Sequence, residues 1–422
     1  MDFRTAIEYI NSLPRFIDGG KPPVERTADL LSAVGDPHKK LRHIHVTGTN
    51  GKGSISAMIA ASLTAEGYKT GLFVSPFVYE FGERMQICGE KICDADAALY
   101  AERVRNAAGL PYVAFDFLFA MAECFFLDRG CDVVVCEVGV GGRNDSTNVI
   151  PPPLCSVIGR VDNDHAELLG GTLAAIAREK AGIIKSPSPA VIYPDQEREV
   201  SDVILSVCRE RGVTPSVPDT GAVKDVVYGD GVGFTYKGVR YAIGMRGAYQ
   251  LYNAITAIEA LSAASSVLPV GISSIKAGIA SAYMPARFER FEYNGMTVVL
   301  DGAHNKNGVT ALAESIRILF PSGVCALCGM LRDKAPATAL APLCGAPVRY
   351  TVTTAVNSPR SETAENVKDA LPLPLRGAAK AVPDIREAFA AAADAAKAHG
   401  LPLVVFGSLY LMGDVHRIMS EK

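Results

Sequence analysis

A glycine-rich stretch with a lysine, residues 45–54 (HVTGTNGKGS), has the composition of a turn that binds nucleotide phosphates. Small residues let the backbone approach the phosphates, successive N–H groups point into the turn, and Lys52 adds a positive charge. The hydroxyl of Ser54 can face a magnesium ion. The spacing departs from the common P-loop, since Val46 stands where a glycine is expected and Gly53 where the hydroxyl residue is expected. The stretch therefore predicts an ATP-using protein of a distinct subfamily.

The alternative for any short Gly-Lys segment is an ordinary turn between a strand and a helix. Here residues 42–47 form a short apolar-rich run, which predicts a strand, and residues 55–66 (ISAMIAASLTAE) are good helix formers. Strand, phosphate turn and helix thus follow in the order that phosphate binding requires, which favours the nucleotide site.

Polar side chains also follow other predicted strands. Glu137 ends the apolar run 132–137, where a carboxylate is either a metal ligand or the start of a solvated loop. His165 follows the next predicted strand, and a lone histidine is more often structural than a ligand. Successive predicted strands thus end, in chain order, at a residue that can bind a metal: Ser54 or Ser75, then Glu137, then His165. This order favours a shared magnesium site.

Three further polar residues could take part in chemistry. Lys180 lies in a predicted helix whose other face is apolar, and on this pattern alone it is a solvated lysine. Asp301 and His304 follow the predicted strand MTVVLD, at the start of a second domain. A ligand held between two domains could contact both groups of polar residues.

Length, charge and cysteine content narrow the class of protein. A chain of 422 residues is long enough for two or three cores of ordinary size. The net charge of -3 indicates no broad basic face for nucleic acid or a membrane surface. Ten irregularly spaced cysteines predict reduced, buried thiols and a cytoplasmic protein, and no apolar run approaches the roughly 20 residues that span a bilayer.

The order of predicted elements indicates an α/β fold. Predicted strands at 68–74, 132–137, 154–161 and 190–193 alternate with predicted helices at 95–106, 115–128 and 172–184. This alternation predicts a P-loop-type, mostly parallel sheet in the N-terminal domain, covered by helices on both faces. Functional loops should then gather at the carboxyl ends of the strands.

The pattern changes twice in the second half of the chain. Residues 219–243 are short, glycine-punctuated and alternating, which predicts a small antiparallel meander attached to the first domain. Candidate strands at 296–301, 323–328, 349–353 and 403–406 predict a smaller, doubly wound α/β domain. We expect residues 1–286 to form the ATP-binding domain with its antiparallel appendage, and residues 287–422 to form the C-terminal domain.

Taken together, these motifs resemble the Mur ligase superfamily and, within it, the folylpolyglutamate synthase and dihydrofolate synthase family. The matching pieces run in family order from about residue 40 to 413: HVTGTNGKGS, ERMQICGEKI, EVGVGGRNDSTN, DHAELLGGTLAAIAREKAGIIK, PARFE, LDGAHN, LRDK and FGSLYL. The resemblance implies an ATP-dependent ligase in which a substrate carboxylate becomes an acyl phosphate and the amine of L-glutamate attacks it. The resemblance implies that the acceptor is either the γ-carboxylate of a (tetrahydro)folate or the carboxylate of dihydropteroate.

The resemblance also implies a role for individual residues. It assigns ATP binding to the phosphate turn, which comprises Thr49, Asn50, Gly51, Lys52, Gly53 and Ser54. It implies two Mg²⁺ ions, with Ser75 and Glu137 as ligands to one and His165 as a ligand to the other. Lys180 is similar to the family's carbamylated lysine, because a carbamate offers anionic oxygens to a hard cation where an ammonium would be repelled.

The remaining assignments concern the substrates. The resemblance implies that Asn253, Arg287 and Asp301 contact the nucleotide. It implies that Lys180 and His304 are the catalytic residues. It also implies that His304 and Ser408 order the incoming glutamate. The pterin-bearing substrate is assigned to Phe115, Asp116, Asn144, Asp145 and Ser146.

Two residues depart from the family pattern, and two other functions remain open. Phe77 follows Ser-Pro where many relatives have histidine, and Ala286 replaces a glycine between proline and arginine. One alternative is a ligase of cell-wall precursors, although only about 40 residues precede the phosphate turn, where such enzymes usually carry another domain. The other is a nucleotide-binding switch or slow ATPase without ligase activity. Similar enzymes are commonly monomers, so we expect a monomer whose partners are small molecules.

Overall fold

The computed structural model describes residues 1–17, 20–107, 109, 111–164 and 166–421. Two compact units are present. The first contains Met1–Lys224, Tyr236–Tyr241 and Tyr252–Ala282, and the second contains Asp225–Thr235, Ala242–Leu251 and Tyr283–Lys422. His165, predicted from the sequence as a metal ligand, lies outside the described residues.

The helices of the described chain are numbered in sequence order. They are α1 Phe3–Ser12, α2 Pro23–Ala33, α3 Lys52–Glu66, α4 Asp94–Ala107, α5 Ala114–Asp128, α6 Ala166–Leu169, α7 Leu173–Ala181, α8 Arg198–Glu210, α9 Gln250–Ala264, α10 Ile272–Ser281, α11 Lys306–Leu319, α12 Pro336–Leu340, α13 Ala364–Ala370, α14 Leu373–Arg376, α15 Ile385–His399 and α16 Leu409–Ser420.

The strands are numbered in the same way. They are β1 His43–Thr47, β2 Thr70–Phe73, β3 Met85–Ile87, β4 Glu90–Lys91, β5 Val133–Glu137, β6 Cys155–Ile158, β7 Ala190–Ile192, β8 Pro215–Ser216, β9 Val223–Tyr228, β10 Val232–Tyr236, β11 Val239–Ile243, β12 Glu289–Tyr293, β13 Met296–Asp301, β14 Val324–Cys328, β15 Val348–Thr353, β16 Ala379–Ala381 and β17 Leu403–Phe406.

The first unit is built on a sheet in the order β4-β3-β2-β5-β1-β6-β7-β8. In the part of the sheet that runs β2-β5-β1-β6-β7-β8 the neighbouring strands are parallel, whereas β3 is antiparallel to both β2 and β4 at one edge. Every residue of β1, β5 and β6 is buried, as expected for parallel strands covered on both faces. The predicted P-loop-type, mostly parallel sheet is therefore confirmed.

Helix α3, which follows the phosphate turn, is buried around most of its circumference. Ten of its residues are buried, because its sequence is apolar or small on all sides. Helix α10 crosses it at Gly278, where a Cβ atom would lie 2.3 Å from the backbone of Ser62. The sequence predicted a helix from residue 55, whereas α3 begins at Lys52, because Gly51 takes the left-handed φ of 85° that lets the helix start inside the turn.

The meander predicted between the two α/β regions is present. Strands β9, β10 and β11 form a three-stranded sheet in the order β11-β10-β9. Strand β10 alternates strictly between buried and partly buried residues, as the alternating sequence indicated.

The second unit contains a six-stranded sheet in the order β12-β13-β17-β14-β15-β16. Strands β13, β17, β14, β15 and β16 are parallel, whereas β12 is an antiparallel edge strand. The four candidate strands of this region are confirmed. The sequence did not predict β12 (ERFEY), because two of its five residues are exposed and none is buried, so its charges look like those of a loop.

Two general expectations can be compared with the structure. All ten cysteines are free thiols, seven of them buried, which agrees with the predicted absence of a disulfide framework. Across the part of the chain that the structure describes, no helix has the length and apolar character needed to cross a membrane.

Candidate active site

The phosphate turn lies at the carboxyl end of β1, between β1 and α3. The N–H groups of Thr49 and Asn50 donate to the carbonyl oxygen of Arg160, at 2.6 and 3.2 Å, which ties the turn to the end of the neighbouring strand β6. A Cβ atom on Gly48 would lie 3.1 Å from Cα of Gly159, and the φ of Gly48 is 152°, so both the close approach and the backbone conformation favour glycine. The first-turn N–H groups of α3 face the turn, and N–H groups at such a helix end can bind an anion.

Asn253 lies against the same turn. Its side chain is buried in α9, and a Cβ atom on Gly51 would lie 2.5 Å from its Oδ1 atom. The predicted ATP ligands Gly51 and Asn253, about 200 residues apart in sequence, are therefore neighbours. Gly53 and Ser54 are buried in the first turn of the helix.

Lys52 and Glu137 approach each other beside the turn. The ammonium of Lys52 donates to the carbonyl oxygens of Gly48 and Thr49, at 3.1 and 3.4 Å, and its Nζ lies 3.9 Å from Oε1 of Glu137. Glu137 is 3% exposed at the carboxyl end of β5, and its Oε2 accepts the N–H of Ser75 at 3.3 Å. Three residues predicted from separate motifs thus share one strand-end region.

Lys180 reaches the same place from α7. Its side chain is buried, and Nζ donates to the carbonyl oxygen of Gly48 at 2.9 Å, so Lys180 and Lys52 share one acceptor. Burial, and next the charge of Lys52, lower the pKa of Lys180 to about 7, against the raising effect of nearby carboxylates such as Asp164. The interpretation as a solvated lysine, which its helix alone suggested, is therefore wrong.

The loop after Glu137 packs directly onto α7. A Cβ atom on Gly142 would lie 2.7 Å from the carbonyl oxygen of Lys180, so only glycine permits this contact. The N–H of Arg143 donates to the carbonyl oxygen of Glu179 at 2.7 Å, and the N–H of Asn144 donates to its Oε1 at 2.9 Å. The GGRN sequence therefore holds the helix that carries Lys180.

Asp116 is the anchor of a buried polar cluster. It is fully buried, and its carboxylate accepts hydrogen bonds from Arg26, from Thr27 Oγ1 at 3.0 Å, from Ser146 Oγ at 2.6 Å and from the N–H of Val113 at 3.0 Å. These donors join α2, α5 and the loop after β5. The structure thus gives Asp116 an extensive structural role beside the substrate role predicted for it.

We expect Asp116→Asn to lower the free energy of unfolding by about 3–5 kcal/mol, because the nearly buried guanidinium of Arg26 would lose its counter-charge. Chemical denaturation measures this change. Asp128→Asn is the matched control on the same helix, since its partner Arg103 is 38% exposed and such pairs contribute about 1 kcal/mol or less. Equal losses in the two variants would contradict the assigned role of Asp116.

Phe115 and the 144–146 segment lie around the same loop. A Cβ atom on Gly139 would lie 2.6 Å from the ring of Phe115, whose ring centroid is 5.9 Å from that of Phe73. Asp145 is 7% exposed and begins the short 3₁₀ helix Ser146–Val149 by accepting the N–H of Thr147. The predicted substrate residues of the first unit therefore cluster around the loop that follows Glu137.

The second unit carries a compact polar group of its own at the ends of β13 and β17. Asp301 accepts the hydroxyl of Tyr249 at 2.8 Å and the N–H groups of Phe288 and Ala303 at 3.0 and 2.8 Å. Burial raises its pKa, although Tyr249 and Arg287 act in the opposite direction. The sequence did not single out Tyr249, and its position directly before α9 carried no signal.

His304 and Ser408 lie close to Asp301 in the fold. Asp301 pairs in register with Phe406, and the N–H of Gly407 donates to Ala303. Nδ1 of His304 lies 2.7 Å from the carbonyl oxygen of Gly302, and because a carbonyl oxygen only accepts, Nδ1 carries a proton. Ser408 is buried and caps α16.

Two consecutive parts of the chain match domain families of the Mur ligases. Residues 46–261 match the Mur ligase middle domain, and residues 286–409 match the glutamate ligase domain of Mur ligases. The folylpolyglutamate synthase of Lacticaseibacillus casei is 36% identical over 354 residues, which cover 79% of this chain and 81% of that protein. This chain belongs to the folylpolyglutamate synthase and dihydrofolate synthase family of the Mur ligase superfamily.

Other members of this family show the same relation. The dihydrofolate synthase/folylpolyglutamate synthase of Bacillus subtilis is 32% identical over 79% of this chain and 80% of its own length. The structure of the folylpolyglutamate synthase of Mycobacterium tuberculosis complexed with ADP superposes with a TM-score of 0.89 at 29% identity, over 100% of this chain and 98% of that one. The fold predicted from the sequence is thus that of solved folylpolyglutamate synthases.

The two departures from the family pattern have different consequences. Ala286 takes a left-handed φ of 54°, a conformation that costs a non-glycine residue about 1–2 kcal/mol. Its carbonyl oxygen accepts the N–H of Gly302 at 2.8 Å and Arg287 Nη1 at 3.2 Å, so the turn is hydrogen-bonded with alanine at this position. Phe77 is 38% exposed, with the guanidinium of Arg84 5.0 Å from its ring centroid.

The described residues contain no group of three or more histidine, cysteine or acidic side chains arranged to hold a metal ion. The predicted ligands Ser75 and Glu137 are brought together, whereas His165 is outside the described residues. Hard oxygen ligands are what Mg²⁺ prefers, and the carboxylate of Glu137 with the hydroxyls of Ser54 and Ser75 fits that preference.

Proposed function

We propose that this member of the family is an ATP-dependent ligase that adds L-glutamate to the γ-carboxylate of a (tetrahydro)folate, with the carboxylate of dihydropteroate as a second acceptor. The observation that carries the proposal is the convergence of Lys52 and Lys180 on the carbonyl oxygen of Gly48, next to the carboxylate of Glu137. The ammonium of Lys52 and the helix terminus can offset the repulsion between two anionic substrates, and the nearly buried carboxylate of Glu137 can hold a cation beside them.

The reaction has two steps that balance without another reactant. A carboxylate oxygen of the acceptor attacks the γ-phosphorus of ATP, an O–P bond forms, and ADP leaves. The glutamate nitrogen then attacks the acyl carbon, phosphate leaves, and the amine loses a proton. Because a carboxylate and a triphosphate repel each other, Lys52 and the first-turn N–H groups of α3 have to offset that repulsion.

Magnesium would be held by Glu137 and Ser75 together with Ser54, and it would neutralise charge on the phosphates as they react. The ammonium of Lys52 lies 3.9 Å from Oε1 of Glu137, so the phosphate oxygens and the carboxylate of Glu137 would both interact with the ammonium of Lys52. Asn253, Arg287 and Asp301 remain our proposed nucleotide contacts, together with the whole phosphate turn.

We propose that Lys180 works as a carbamate. Its neutral amine would attack CO₂, forming an N–C bond and releasing one proton, and the product is an anion in place of a cation. Geometry supports this change, because two ammonium groups on one carbonyl oxygen repel each other whereas a carbamate would attract Lys52 and a divalent cation. The pKa of about 7 also supplies the neutral amine near neutral pH.

The carbamate proposal predicts a particular pH dependence. Enzyme depleted of CO₂ at a pH of about 5.5 should lose activity and recover it with bicarbonate at a pH of about 8. Because only the neutral amine reacts, the recovery rate should rise up to a pH of about 7 and then level off when the concentration of dissolved CO₂ is held the same at every pH. A lysine with the ordinary pKa of 10.5 would instead give a rate that rises tenfold per pH unit to well above 9.

The recovery can be followed by activity and by the ¹³C signal of a carbamate formed from ¹³C-bicarbonate. The signal should be absent from Lys180→Ala. A recovery rate that keeps rising above a pH of about 8, or a signal unaffected by that substitution, would contradict a carbamate on Lys180.

We propose that the polar group of the second unit handles the glutamate amine. The proton of His304 is on Nδ1, facing the carbonyl oxygen of Gly302, which directs the basic nitrogen Nε2 elsewhere. A base in this tautomer can accept the proton that the amine loses. Ser408, which is buried at the start of α16, is the proposed contact for the glutamate carboxylate.

The decisive assay measures ADP release with ATP alone, with a folate, with L-glutamate, and with both. Turnover that requires both, together with a product one glutamate longer by mass spectrometry, supports the ligase. Turnover indifferent to both would identify a nucleotide switch or slow ATPase, and turnover only with a nucleotide-sugar peptide would identify a cell-wall ligase. Dihydropteroate in place of folate tests the second acceptor.

Two properties complete the proposal. The ten free thiols support a reducing compartment such as the cytoplasm. We also propose a monomer whose partners are ATP, L-glutamate and a folate, with neither nucleic acid nor a membrane surface involved, because the net charge of -3 leaves no excess of basic residues.

A further inference from the structure

A buried histidine in the centre of the first sheet has no role in the site described so far. His45 lies in the middle of β1, in register with Cys136 of β5 and Ser156 of β6, and its side chain is fully buried. Its Nε2 lies 2.9 Å from Oγ1 of Thr147. Burying a polar ring at the centre of a sheet costs free energy. The presence of a histidine at this position therefore needs an explanation, and its contact with Thr147 offers one.

The direction of this hydrogen bond follows from its neighbour. Oγ1 of Thr147 donates its single proton to Oδ1 of Asp145 at 2.6 Å. The Thr147 oxygen can therefore only accept from His45, which places the proton of the imidazole on Nε2. Burial lowers the pKa of His45 well below its ordinary value, and Lys185 and His43 add to this effect, so the ring is neutral. His45, Thr147 and Asp145 thus form a chain of hydrogen bonds in which His45 donates to Thr147 and Thr147 donates to Asp145.

The chain ends at a carboxylate that organises the loop after Glu137. Asp145 accepts the N–H of Val140 at 2.9 Å and the N–H of Thr147 at 3.0 Å, and Gly139 also donates to it. Gly139 in turn packs against the ring of Phe115, where a Cβ atom would lie 2.6 Å away. The carboxylate of Asp145 therefore holds the backbone of Gly139 and Val140 at the start of this loop.

We propose that His45 and Thr147 are positioning residues for the acceptor acid. They orient Asp145 and thereby hold the 138–146 loop, which carries the acceptor-binding residues, in the shape that binds the folate. This inference rests on the proposed ligase function. Neither residue contacts substrate in this scheme, and their effect passes through the rigid hydrogen-bonded chain.

Matched substitutions test the chain. Thr147→Val removes the hydroxyl and keeps the shape, whereas Thr147→Ser keeps the hydroxyl. His45→Leu removes the donor, whereas His45→Gln can place an amide N–H near the original Nε2. We expect Thr147→Val and His45→Leu to raise the KM of the folate about tenfold, as for the loss of one buried hydrogen bond, with the conservative variants within about threefold of wild type.

Two further measurements separate this role from a structural one. The KM of ATP should rise by a smaller factor than the KM of the folate, since the chain ends at Asp145 and reaches the helix of Lys180 less directly, through Gly142 and Arg143. The double variant His45→Leu/Thr147→Val should be no worse than Thr147→Val, because the chain is already broken. Assays are made well below the melting temperature of each variant, as checked by circular dichroism.

Each outcome has a defined meaning. Equal folate KM values for Thr147→Val and Thr147→Ser, or equal increases in the KM of ATP and folate, would overturn the inference and indicate that His45 and Thr147 only support the sheet. A wild-type enzyme without folate-dependent turnover would instead refute the proposed function. The two failures are therefore distinguishable in one set of assays.

Discussion

Lys180→Ala should lower glutamate-dependent ADP release by at least about 10²- to 10³-fold, the effect of removing one preorganised electrostatic group. Lys180 is buried beside the phosphate turn and shares the carbonyl oxygen of Gly48 with Lys52. As a carbamate it would supply anionic oxygens at the place proposed for the phosphates and their cation. Alanine can provide neither charge nor oxygens, so the loss should appear in kcat.

The fold should survive this substitution. Lys180 contributes a polar group that is buried at a cost, so its removal should change the melting temperature by only a few degrees. Arg178→Ala is the matched control on α7, because its side chain is 52% exposed in a surface pair with Glu210, and it should leave activity unchanged.

Chemical rescue sharpens the test of Lys180. The alanine variant leaves a space that a short carboxylic acid can enter, and its oxygens can replace those of the carbamate. Formate or acetate should therefore restore part of the activity of Lys180→Ala and none of that of a phosphate-turn variant such as Lys52→Met. Near-normal turnover in Lys180→Ala without any additive would rule out its assigned role.

The second large effect is expected for Glu137→Gln, with kcat lower by about 10²- to 10³-fold. Glutamine keeps the shape of the side chain and can still accept the N–H of Ser75, but it removes the negative charge 3.9 Å from Lys52. The proposed magnesium ligand is thereby weakened. We expect the Mg²⁺ concentration needed for half-maximal activity to rise, while ADP binding in the presence of a chelator stays within about twofold.

Asp132→Asn is the matched control for Glu137→Gln. Asp132 immediately precedes β5, whereas Glu137 ends it, and Asp132 is exposed, with its carboxylate accepting the N–H of Lys69 at 2.8 Å. Its replacement should change neither the Mg²⁺ requirement nor kcat. If Glu137→Gln and Asp132→Asn behave alike, Glu137 has no special place in the reaction.

Much of the site was predictable because its residues stand in local patterns. The phosphate turn, Glu137 at a strand end and the second-domain corner at Asp301 each follow an apolar run whose length and composition indicate a strand. The carboxyl ends of parallel strands lie at the same edge of a sheet, so the polar residues that follow these strands are expected to lie close together. The contact between Ser75 and Glu137 agrees with that expectation.

Other features depended on neighbours that are distant in sequence. Lys180 looks solvated in its own helix, and only the loop containing Gly142, whose glycine lets the backbone approach α7, places it in a buried position beside Lys52. Asp116 was predicted to bind substrate, and the cluster of donors around it comes from three separate elements. No local pattern reports such contacts.

What the sequence alone determined is therefore the set of elements and the chemistry at their ends, because hydrophobic periodicity and turn composition are local properties. The tertiary structure decided the burial of Lys180, the orientation of Asp145 through Thr147 and His45, and the pairing of Tyr249 with Asp301. These features depend on desolvation and on hydrogen-bond geometry between groups far apart in the chain, which arise only when the sheet and its helices are packed.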